Sequence, residues 1–383
     1  MPTVMISCGE PSGDVYAGAL ARELRRLSPD TRIVGLGGER LRDAGAELVG
    51  DYRGLTVTGL VEALRVLPRA WDMHRALVAR AERDRPDALV VIDFPDFNFR
   101  LAAALHRLGV PIVYYVCPQV WAWRPGRLRV LQRLVDRALV IFPFEEPMYR
   151  EAGIPVNFVG HPLLDLAEPS ASRAELFAEF ALAPDAPTIA LLPGSRPNEL
   201  RETLPTLAAA VPMIAGRLPG AQFMVARAPN LADDLFAPLR SIHRPRLAMI
   251  ADRTDAVLAA ADVVVTASGT ATVQTAIHER PMVIVYRLSP LTYRLGKRLV
   301  KVDTYGMVNL VAGARIVPEL IQDAFTPAAV TAEVVRYFAD PAHAERTRAA
   351  LREVRAKLGT PGASRRAAEH VLAACERRGE RSG

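Results

Sequence analysis

The sequence predicts an α/β fold made of two facing Rossmann-like domains, each built on a doubly wound parallel sheet. Three observations predict it. Short runs rich in Val and Ile alternate with longer helical patterns, and such repetition indicates a parallel sheet covered on both faces. The alternation restarts near the middle of the chain, and the two halves open alike, with TVMISCGEPSGD and TIALLPGSRPNE. Two facing sheets place a ligand cleft at the carboxyl ends of their strands.

The individual elements follow from apolar runs bounded by Gly, Pro or Asp. In the first half we predict strands at residues 3–7, 32–35, 88–92, 112–116 and 138–141. Helical patterns cover residues 16–27 and 100–108. In the second half we predict strands at residues 188–192, 222–226, 247–250, 263–266 and 282–286, with a helix at 200–217.

Three segments are predicted along the chain. Gly, His and Pro cluster between residues 157 and 169, which places a domain boundary near residue 160. The first domain therefore covers residues 1–160 and the second covers residues 161–342. Residues 343–383 form a basic helical tail, and packing of this tail back on the first domain is one expectation.

The composition excludes several classes of protein. Of the 383 residues, 50% are hydrophobic and 23% are charged, as in globular proteins rather than disordered ones. Three well-separated cysteines exclude a disulfide scaffold, and the seven histidines lack the spacing of a catalytic zinc site, so no metal is expected. We expect neither a membrane-spanning helix nor a signal peptide. The net charge of +6 suits anionic ligands, but no nucleic-acid-binding motif accompanies it.

Two loops of the second half have the chemistry of phosphate binding. Gly194, Ser195 and Arg196 lie between a predicted strand and a predicted helix, where backbone N–H groups and the helix N-terminus favour an anion. The Arg196 guanidinium suits phosphate oxygens. The second loop contributes Ser268, Gly269, Thr270 and Thr272. The alternatives are an ordinary turn with a surface arginine in the first loop and an N-cap in the second.

Two loops of the first half place polar side chains after predicted strands. The first loop contains Glu10, Ser12, Gly13 and Asp14, without the spacing of a dinucleotide or P-loop motif. The second contains Asp93, Asp96 and Asn98, after the buried run 88–92. We predict that Asp96 is a general base that deprotonates an attacking hydroxyl, while Asp93 shapes the loop. The alternative is that the aspartates are turn formers or helix caps.

An apolar and basic helical pattern follows residue 59. Its members are Leu60, Leu64, Leu67 and Trp71, interleaved with Arg65 and Arg69. The pattern fits an amphipathic helix at a membrane interface, with arginines near lipid phosphates. The alternative is a core-facing helix with a solvated basic face. We expect Pro68 to kink or divide this helix. His161 lies alone at the domain boundary, and a lone loop histidine is more often structural than ligand-binding.

Nine motifs occur along the chain in a fixed order. They are GEPSGD at 9–14, IDFPDFN at 92–98, YYVCPQVWAWR at 114–124, FVGHPL at 158–163, LLPGSRPNEL at 191–200, ASGTAT at 267–272, YRLSPLTYRLGKRLVK at 286–301, NLVAG at 309–313 and PELIQD at 318–323. Together and in this order, they resemble the motifs of the lipid-A-disaccharide synthase family. The members of this family are glycosyltransferases of the GT-B type.

The resemblance implies a reaction and a location. Enzymes of this family transfer 2,3-diacylglucosamine from UDP-2,3-diacylglucosamine to the 6-hydroxyl of 2,3-diacylglucosamine 1-phosphate (lipid X). The anomeric centre inverts and UDP is released. The family works without a metal or other cofactor, as peripheral proteins at the cytoplasmic face of the inner membrane. A homodimer is one alternative for the oligomeric state.

The resemblance also implies a division of roles between the domains. The first domain would face the acceptor and the membrane, with Asp96 as base. The acceptor side would consist of Glu10, Ser12, Gly13, Asp14 and Asn98. The second domain would bind the UDP-sugar through Arg196 and the two loops at 194–195 and 268–272.

The sequence departs from the family pattern at two places. Gln274 stands where the family usually has an acidic residue that binds the ribose hydroxyls, although an amide can still accept through its carbonyl oxygen. Arg315 lies one position away from the usual arginine, and Val308 replaces a proline. Two alternatives therefore stay open: another GT-B transferase of the UDP-N-acetylglucosamine type with a lipid acceptor, and a catalytically weak nucleotide-sugar-binding protein.

Overall fold

The chain folds into two compact units. The computed structural model describes residues 1–55, 60–118, 125–228, 231–287 and 306–382, without the side chains of 60–65, 125 and 379–382. One unit comprises Met1–Leu164 together with Leu358–Gly383, and the other comprises Asp165–Lys357. The divisions differ from those predicted after residues 160 and 342. The helix Pro341–Lys357 belongs to the second unit, and only the residues after it return to the first.

Both sheets are entirely parallel within the described residues. The strands of the first sheet are β1 Thr3–Cys8, β2 Arg32–Gly37, β3 Glu47–Asp51, β4 Ala88–Ile92, β5 Ile112–Tyr115, β6 Arg137–Val140 and β7 Val156–Phe158. Those of the second are β8 Thr188–Leu192, β9 Gln222–Arg227, β10 Leu247–Ala251, β11 Val263–Ala267, β12 Met282–Tyr286 and β13 Glu319–Ile321. The first sheet has the strand order β3-β2-β1-β4-β5-β6-β7 and the second has the order β10-β9-β8-β11-β12-β13.

The helices lie between these strands. In the first unit they are α1 Pro11–Leu27, α2 Glu39–Asp43, α3 Leu60–Asp84, α4 Pro95–Arg107, α5 Leu128–Leu134 and α6 Glu145–Glu151. Next come α7 Leu163–Leu166, α8 Arg173–Glu179, α9 Pro197–Arg217, α10 Ala237–Arg240, α11 Thr254–Ala260, α12 Thr270–Ile277, α13 Met307–Ala312, α14 Pro327–Ala339, α15 Pro341–Lys357 and α16 Ala363–Ser382. Helix α3 runs without a break through Pro68. Among the described helices, none is both long and apolar enough to cross a membrane.

Each sheet is buried between helices, which explains its apolar strands. All five residues of β4 and all five of β11 are buried, as expected for parallel strands covered on both faces. Separate apolar clusters fill the two units, one around Leu89 and Tyr114 and the other around Val265 and Phe325. The predicted α/β fold with two parallel-sheet domains is confirmed.

The C-terminal helix α16 completes the first unit. It packs on α1 and against β4 and β5. The face that it buries is small and apolar, with Ala367, Ala368 and Val371 fully buried. Small side chains let a helix approach its neighbours closely, so the last helix of the chain covers the middle of the first sheet.

Three strands were missed by the sequence patterns, and all three lie at sheet edges. Strands β3, β7 and β13 are short, and none of them shows a continuous buried run. An edge strand pairs on one side only and is less covered, so its sequence need not be uniformly apolar. The interior strands, which carry that signal, were predicted to within two residues at each end.

Candidate active site

In each sheet the predicted loops lie where the strand order changes direction. In the first sheet β2 and β3 lie on one side of β1, while β4 to β7 continue on the other side. In the second sheet the same change occurs between β8 and β11. Open parallel sheets bind ligands beyond the carboxyl ends of their strands at such a point. The four candidate loops follow β1, β4, β8 and β11, the strands that flank these two points.

Asn98 ties two strand ends of the first unit together. It is fully buried, and its Oδ1 accepts a hydrogen bond from the Ser7 hydroxyl at 2.7 Å. Its Nδ2 donates to the carbonyl oxygens of Ser7, Ile92 and Asp93 at 3.3, 3.3 and 2.8 Å. Both ends of the amide are therefore used inside the protein. Asn98 therefore positions the loop after β4, and its place on the acceptor side stays a prediction.

We expect Asn98→Asp to lower the free energy of unfolding by about 3 kcal/mol, because a buried carboxylate would face three carbonyl oxygens that it cannot donate to. Urea denaturation measures this change. Asn157→Asp is a matched control, since Asn157 accepts from Arg137 at 3.0 Å and a carboxylate can take the same bond. Equal losses of stability in the two variants would contradict the assignment.

Asp14 is also used inside the first unit. Its carboxylate accepts from the backbone N–H groups of Gly38, Arg40 and Leu41 at 2.7, 3.0 and 3.2 Å. These groups belong to the N-terminus of α2, where a carboxylate satisfies donors that have no partner in the helix. Asp14 is buried and caps a neighbouring helix, and its place on the acceptor side stays a prediction.

The remaining residues of the β1–α1 loop lie at the start of α1. Glu10 and Ser12 are half-buried, and Gly13 is buried close to Cys8 at the end of β1. Helix α1 begins at Pro11, so the predicted loop residues 11–14 form its first turn. Of the five predicted acceptor-side residues, Glu10 and Ser12 are the two whose side chains retain solvent exposure.

The two loops of the first unit are packed against each other through Phe94. A Cβ atom on Gly9 would lie 2.2 Å from the Phe94 ring, so only glycine fits here. Asp93 and Phe94 have φ angles of 44° and 49°, which non-glycine residues rarely adopt. The Asp93 carbonyl accepts from the Tyr114 hydroxyl at 2.9 Å as well as from Asn98, and these bonds hold the strained turn. Strain of this kind clusters at functional sites.

Asp96 lies in the first turn of α4, immediately after this turn. Its side chain is 80% exposed and forms an ion pair with Arg127. Arg127 in turn lies over the Phe99 ring, 5.4 Å from its centroid. The carboxylate is thus oriented by a guanidinium and is exposed to solvent, and its role as a general base stays a prediction.

His161 is buried among aromatic rings and is structural. Its ring meets Tyr16 edge-on at 6.1 Å and Phe142 at 5.3 Å, and its Nδ1 accepts from the Leu163 N–H at 3.2 Å. Burial lowers the pKa of His161 from 6.5 to about 3. The folded protein therefore keeps this side chain neutral at pH values where the unfolded chain protonates it.

This pKa shift predicts a loss of stability in acid. Between pH 6.5 and pH 3 the unfolded state binds one more proton at His161 than the folded state does, so stability falls as pH falls. At pH 5.5 this difference in proton binding lowers the free energy of unfolding by about 1.4 kcal/mol. We expect His161→Asn to weaken the pH dependence of urea unfolding between pH 7 and pH 5.5. The exposed His106→Asn is the control, and an equal effect of both variants would contradict the prediction.

In the second unit the β8–α9 loop gathers donors around one carboxylate. Gly194 has a φ of 128°, which favours glycine. Glu199 accepts from the Ser195 N–H at 3.1 Å and from the Arg196 guanidinium at 2.9 Å. The Glu199 side chain is 13% exposed, against 35% for Arg196. The loop thus contains two donors suited to an anion, a backbone N–H and a guanidinium. In this structure the Glu199 carboxylate accepts from both.

The β11–α12 loop is open at its glycine. Gly269 precedes α12 with a φ of 140°, and apart from its two chain neighbours no described residue has an atom within 4 Å of the position of an added Cβ. Thr270 is exposed at the start of the helix, and Ser268 is half-buried. Thr272 is buried, with its hydroxyl on the Gly269 carbonyl at 2.8 Å. Thr272 therefore stabilises the loop from inside, and its contact with UDP stays a prediction.

Gln274 lies one turn further along α12. Its Nε2 donates to Asp255 Oδ1 at 2.8 Å, and His278 Nε2 reaches the same oxygen at 2.8 Å. Asp255 comes from α11, a different element of the second unit. Arg315, the displaced arginine of the NLVAG region, is exposed after the end of α13.

Helix α3 carries part of the predicted membrane contact. Leu67 and Trp71 are 43% and 49% exposed, and both are large apolar side chains. Arg100 lies over the Trp71 ring, 5.7 Å from its centroid. The backbone of residues 60–65 is helical, but the side chains of Leu60, Leu64 and Arg65 lie outside the described part of the structure. The same holds for the VWAWR motif at 120–124 and for residues 288–301.

Comparison with known proteins decides the family. A model of the lipid-A-disaccharide synthetase family matches residues 4–374. The lipid-A-disaccharide synthase of Geobacter sulfurreducens is 45% identical over 372 residues, which cover 96% of each chain. That of Myxococcus xanthus is 42% identical over 372 residues and 97% of each chain. The chain belongs to the lipid-A-disaccharide synthase family. It is therefore a glycosyltransferase of lipid A biosynthesis, and its substrates are a UDP-sugar and a lipid acceptor.

Solved structures with much lower identity share the fold. The UDP-GlcNAc 2-epimerase from Neisseria meningitidis, solved with UDP-GlcNAc, aligns with a TM-score of 0.69 at 12% identity, over 97% of this chain and 100% of the epimerase. The glycotransferase of kitacinnamycin aligns with a TM-score of 0.66 at 21% identity, over 98% and 100% of the two chains. These likenesses confirm the predicted GT-B fold.

Two residues of the candidate site were not singled out from the sequence. Glu199 is the third residue of α9, and a glutamate at that position often reaches back to N–H groups before the helix, so a local signal for it was present. Asp255 had no such signal, because its contact with Gln274 joins two separate helices.

Proposed function

We propose that this family member transfers the 2,3-diacylglucosaminyl group of UDP-2,3-diacylglucosamine to the 6-hydroxyl of 2,3-diacylglucosamine 1-phosphate, with inversion at the anomeric carbon. One observation carries the proposal. The loops that flank the change of strand order in the second sheet offer donors to an anion, while an exposed carboxylate follows the corresponding strand of the first sheet. Binding of a diphosphate and activation of a hydroxyl are the two requirements of this reaction.

The diphosphate of the donor would bind to the β8–α9 and β11–α12 loops. The Ser195 N–H, the Arg196 guanidinium and the N-terminus of α12 at Thr270 are suited to phosphate oxygens. In this binding mode the diphosphate takes over donors that Glu199 occupies in the present structure. These groups also stabilise the negative charge that develops on UDP as it leaves, which is where such donors lower the barrier most.

Asp96 would act as the general base. The oxygen of the acceptor 6-hydroxyl attacks the anomeric carbon and forms the new C–O bond, while its proton passes to the Asp96 carboxylate. The bond between the anomeric carbon and the β-phosphate oxygen breaks on the opposite face, and UDP leaves with the bonding electrons. The half-buried Glu10 and Ser12 are proposed to contact the acceptor.

The proposal includes neither a metal nor another cofactor. In the described part of the chain no group of three or more His, Cys, Asp or Glu is arranged to hold a metal ion. The exposed pair Leu67 and Trp71, with Arg69 between them, is proposed to contact the cytoplasmic face of the inner membrane, where the acylated substrates reside. No nucleic acid takes part.

The test is an assay with purified diacylated donor and acceptor, with mass spectrometry of the product. We expect a disaccharide 1-phosphate and one UDP for each product molecule. UDP-N-acetylglucosamine, which lacks the acyl chains, serves as the control donor. Equal rates with the acylated and non-acylated donors would contradict the proposal and favour a different UDP-sugar transferase. Reaction at a hydroxyl other than the 6-hydroxyl would contradict the acceptor assignment.

A further inference from the structure

Asp255 is the common acceptor of two side chains from another helix. It is the second residue of α11, and its Oδ1 lies 2.8 Å from Gln274 Nε2 and 2.8 Å from His278 Nε2. The Asp255 side chain is 20% exposed and the His278 side chain is 10% exposed. The carboxylate therefore lies in a partly buried setting, in which a hydrogen bond to a charged group is stronger than at an open surface.

The hydrogen bond to Asp255 determines the orientation of the Gln274 side-chain amide. A carboxylate only accepts hydrogen bonds, so the NH₂ group must face Asp255 and the carbonyl Oε1 must point away from it. An amide without such a partner can rotate by half a turn and exchange donor for acceptor. Asp255 thus makes Gln274 present an acceptor on the side that does not face α11.

The place of Gln274 on α12 relates this acceptor to the proposed diphosphate site. Gln274 lies four residues after Thr270, so the two share one face of the helix. The rise along the helix between them is about 6 Å. In UDP the ribose is attached to the diphosphate. With the diphosphate at the start of α12, the ribose would therefore come near a side chain one helical turn further along.

We propose that Asp255 is a positioning residue for nucleotide binding: it holds the Gln274 amide so that Oε1 accepts a hydrogen bond from a ribose hydroxyl of UDP. The inference rests on the proposed function, because it presumes that UDP binds to the loops after β8 and β11. It gives a role to Asp255, which lies outside the nine sequence motifs.

The inference reverses an expectation based on sequence alone. Gln274→Glu would supply a charged acceptor for the ribose, and so would be expected to strengthen binding. In this structure the new carboxylate would lie within hydrogen-bond distance of Asp255, and two like charges there repel each other. We therefore expect Gln274→Glu to weaken UDP binding, and the added change Asp255→Asn to restore it, because the Asn amide can donate to the new glutamate.

The experiment is calorimetric titration of the full chain with UDP, 2′-deoxy-UDP and 3′-deoxy-UDP. Wild-type protein is expected to bind at least one deoxy analogue more weakly than UDP. Asp255→Asn should weaken UDP binding about 5-fold and reduce this discrimination, because an asparagine amide can offer either Oδ1 or Nδ2 to Gln274 and no longer enforces one orientation. Its KM for the donor should rise with little change in kcat, since the base and the leaving-group contacts are untouched. A merely structural role would not reduce the selectivity for a ribose hydroxyl.

Asp252→Asn is the matched control. Asp252 is exposed in the loop before α11, and its φ of 57° suits asparagine, so the variant removes the same charge without touching Gln274. It should bind UDP as the wild type does. In a Gln274→Ala background, Asp255→Asn should have no further effect on UDP binding, which tests the coupling even if the single Asp255 variant is less stable.

The outcomes separate the inference from the function on which it rests. Wild-type protein that binds no UDP would overturn the proposed function and the inference together. Wild-type binding with unchanged affinity and selectivity in Asp255→Asn would overturn the inference alone. Tighter binding of UDP by Gln274→Glu than by the wild type would also overturn it.

Discussion

Asp96→Asn is expected to lower kcat by about 10²- to 10⁴-fold, the range for loss of a general base, while UDP binding stays at the wild-type level. An amide cannot take the proton of the acceptor hydroxyl. Binding of UDP is spared because Asp96 belongs to the first compact unit and the proposed UDP loops belong to the second. Steady-state assays with the diacylated substrates and calorimetric titration with UDP measure the two quantities separately.

The neighbouring carboxylate supplies the control for Asp96. Asp93 lies in the same loop, and its φ of 44° tolerates asparagine, so Asp93→Asn preserves the turn that the backbone hydrogen bonds hold. We expect it to retain activity within a few-fold of the wild type. If Asp93→Asn abolished turnover and Asp96→Asn did not, the base would be Asp93. Loss of UDP binding in Asp96→Asn would contradict its assignment as a base.

Arg196→Ala is expected to lower kcat/KM by about 10²- to 10³-fold and to weaken UDP binding as well. Its guanidinium is a charged donor of the β8–α9 loop, and in the proposed binding mode it would interact with both the diphosphate and the charge that develops on the leaving group. Arg196→Lys should give an intermediate result, because it keeps the charge but loses the planar two-pronged geometry. Initial rates over a range of donor concentrations, together with UDP titration, measure these effects.

Arg201→Ala is the matched control for this arginine. Arg201 is exposed on the same helix and donates to Asn198 at 2.8 Å. Its removal changes the net charge by the same amount and should leave kcat/KM near the wild-type value. UDP affinity that is unchanged in Arg196→Ala would contradict the proposed diphosphate site. Arg196→Ala removes the guanidinium and also breaks its ion pair with Glu199. Glu199→Gln breaks the same ion pair but keeps the guanidinium, so it distinguishes these two effects.

The loops of the candidate site could be predicted from the sequence because their signals are local. A buried apolar run followed by glycine, hydroxyl or acidic residues and then a helical pattern identifies a strand–loop–helix corner. The structure places the residues 194–196 and 268–269 at such corners. The helices themselves begin earlier than predicted, at Pro11, Pro95 and Pro197. Proline is well suited to the first turn of a helix, so these residues mark the helix starts that the apolar pattern alone placed too late.

The roles of single polar residues were harder to predict. Asp14, Asn98 and Thr272 lie in the predicted loops and have the expected chemistry, yet the structure turns all three inward. Their partners are Gly38 at the start of the next helix, Ser7 on a neighbouring strand and the Gly269 carbonyl. Sequence position tells that a residue lies near a sheet edge, but the direction of its side chain depends on which groups the fold brings beside it.

By itself the sequence determined the family, the α/β class with two parallel sheets, and the four loops at the carboxyl ends of β1, β4, β8 and β11. All of these follow from the periodicity of apolar residues and from motifs of contiguous residues. Only the tertiary structure decided how exposed each carboxylate is and which partner it has: Asp96 is exposed and paired with Arg127, Asp14 caps a helix, and Asp255 accepts from Gln274. The physical reason is that a hydrogen bond is satisfied by whatever lies within about 3 Å, and that neighbour is set by packing rather than by sequence order.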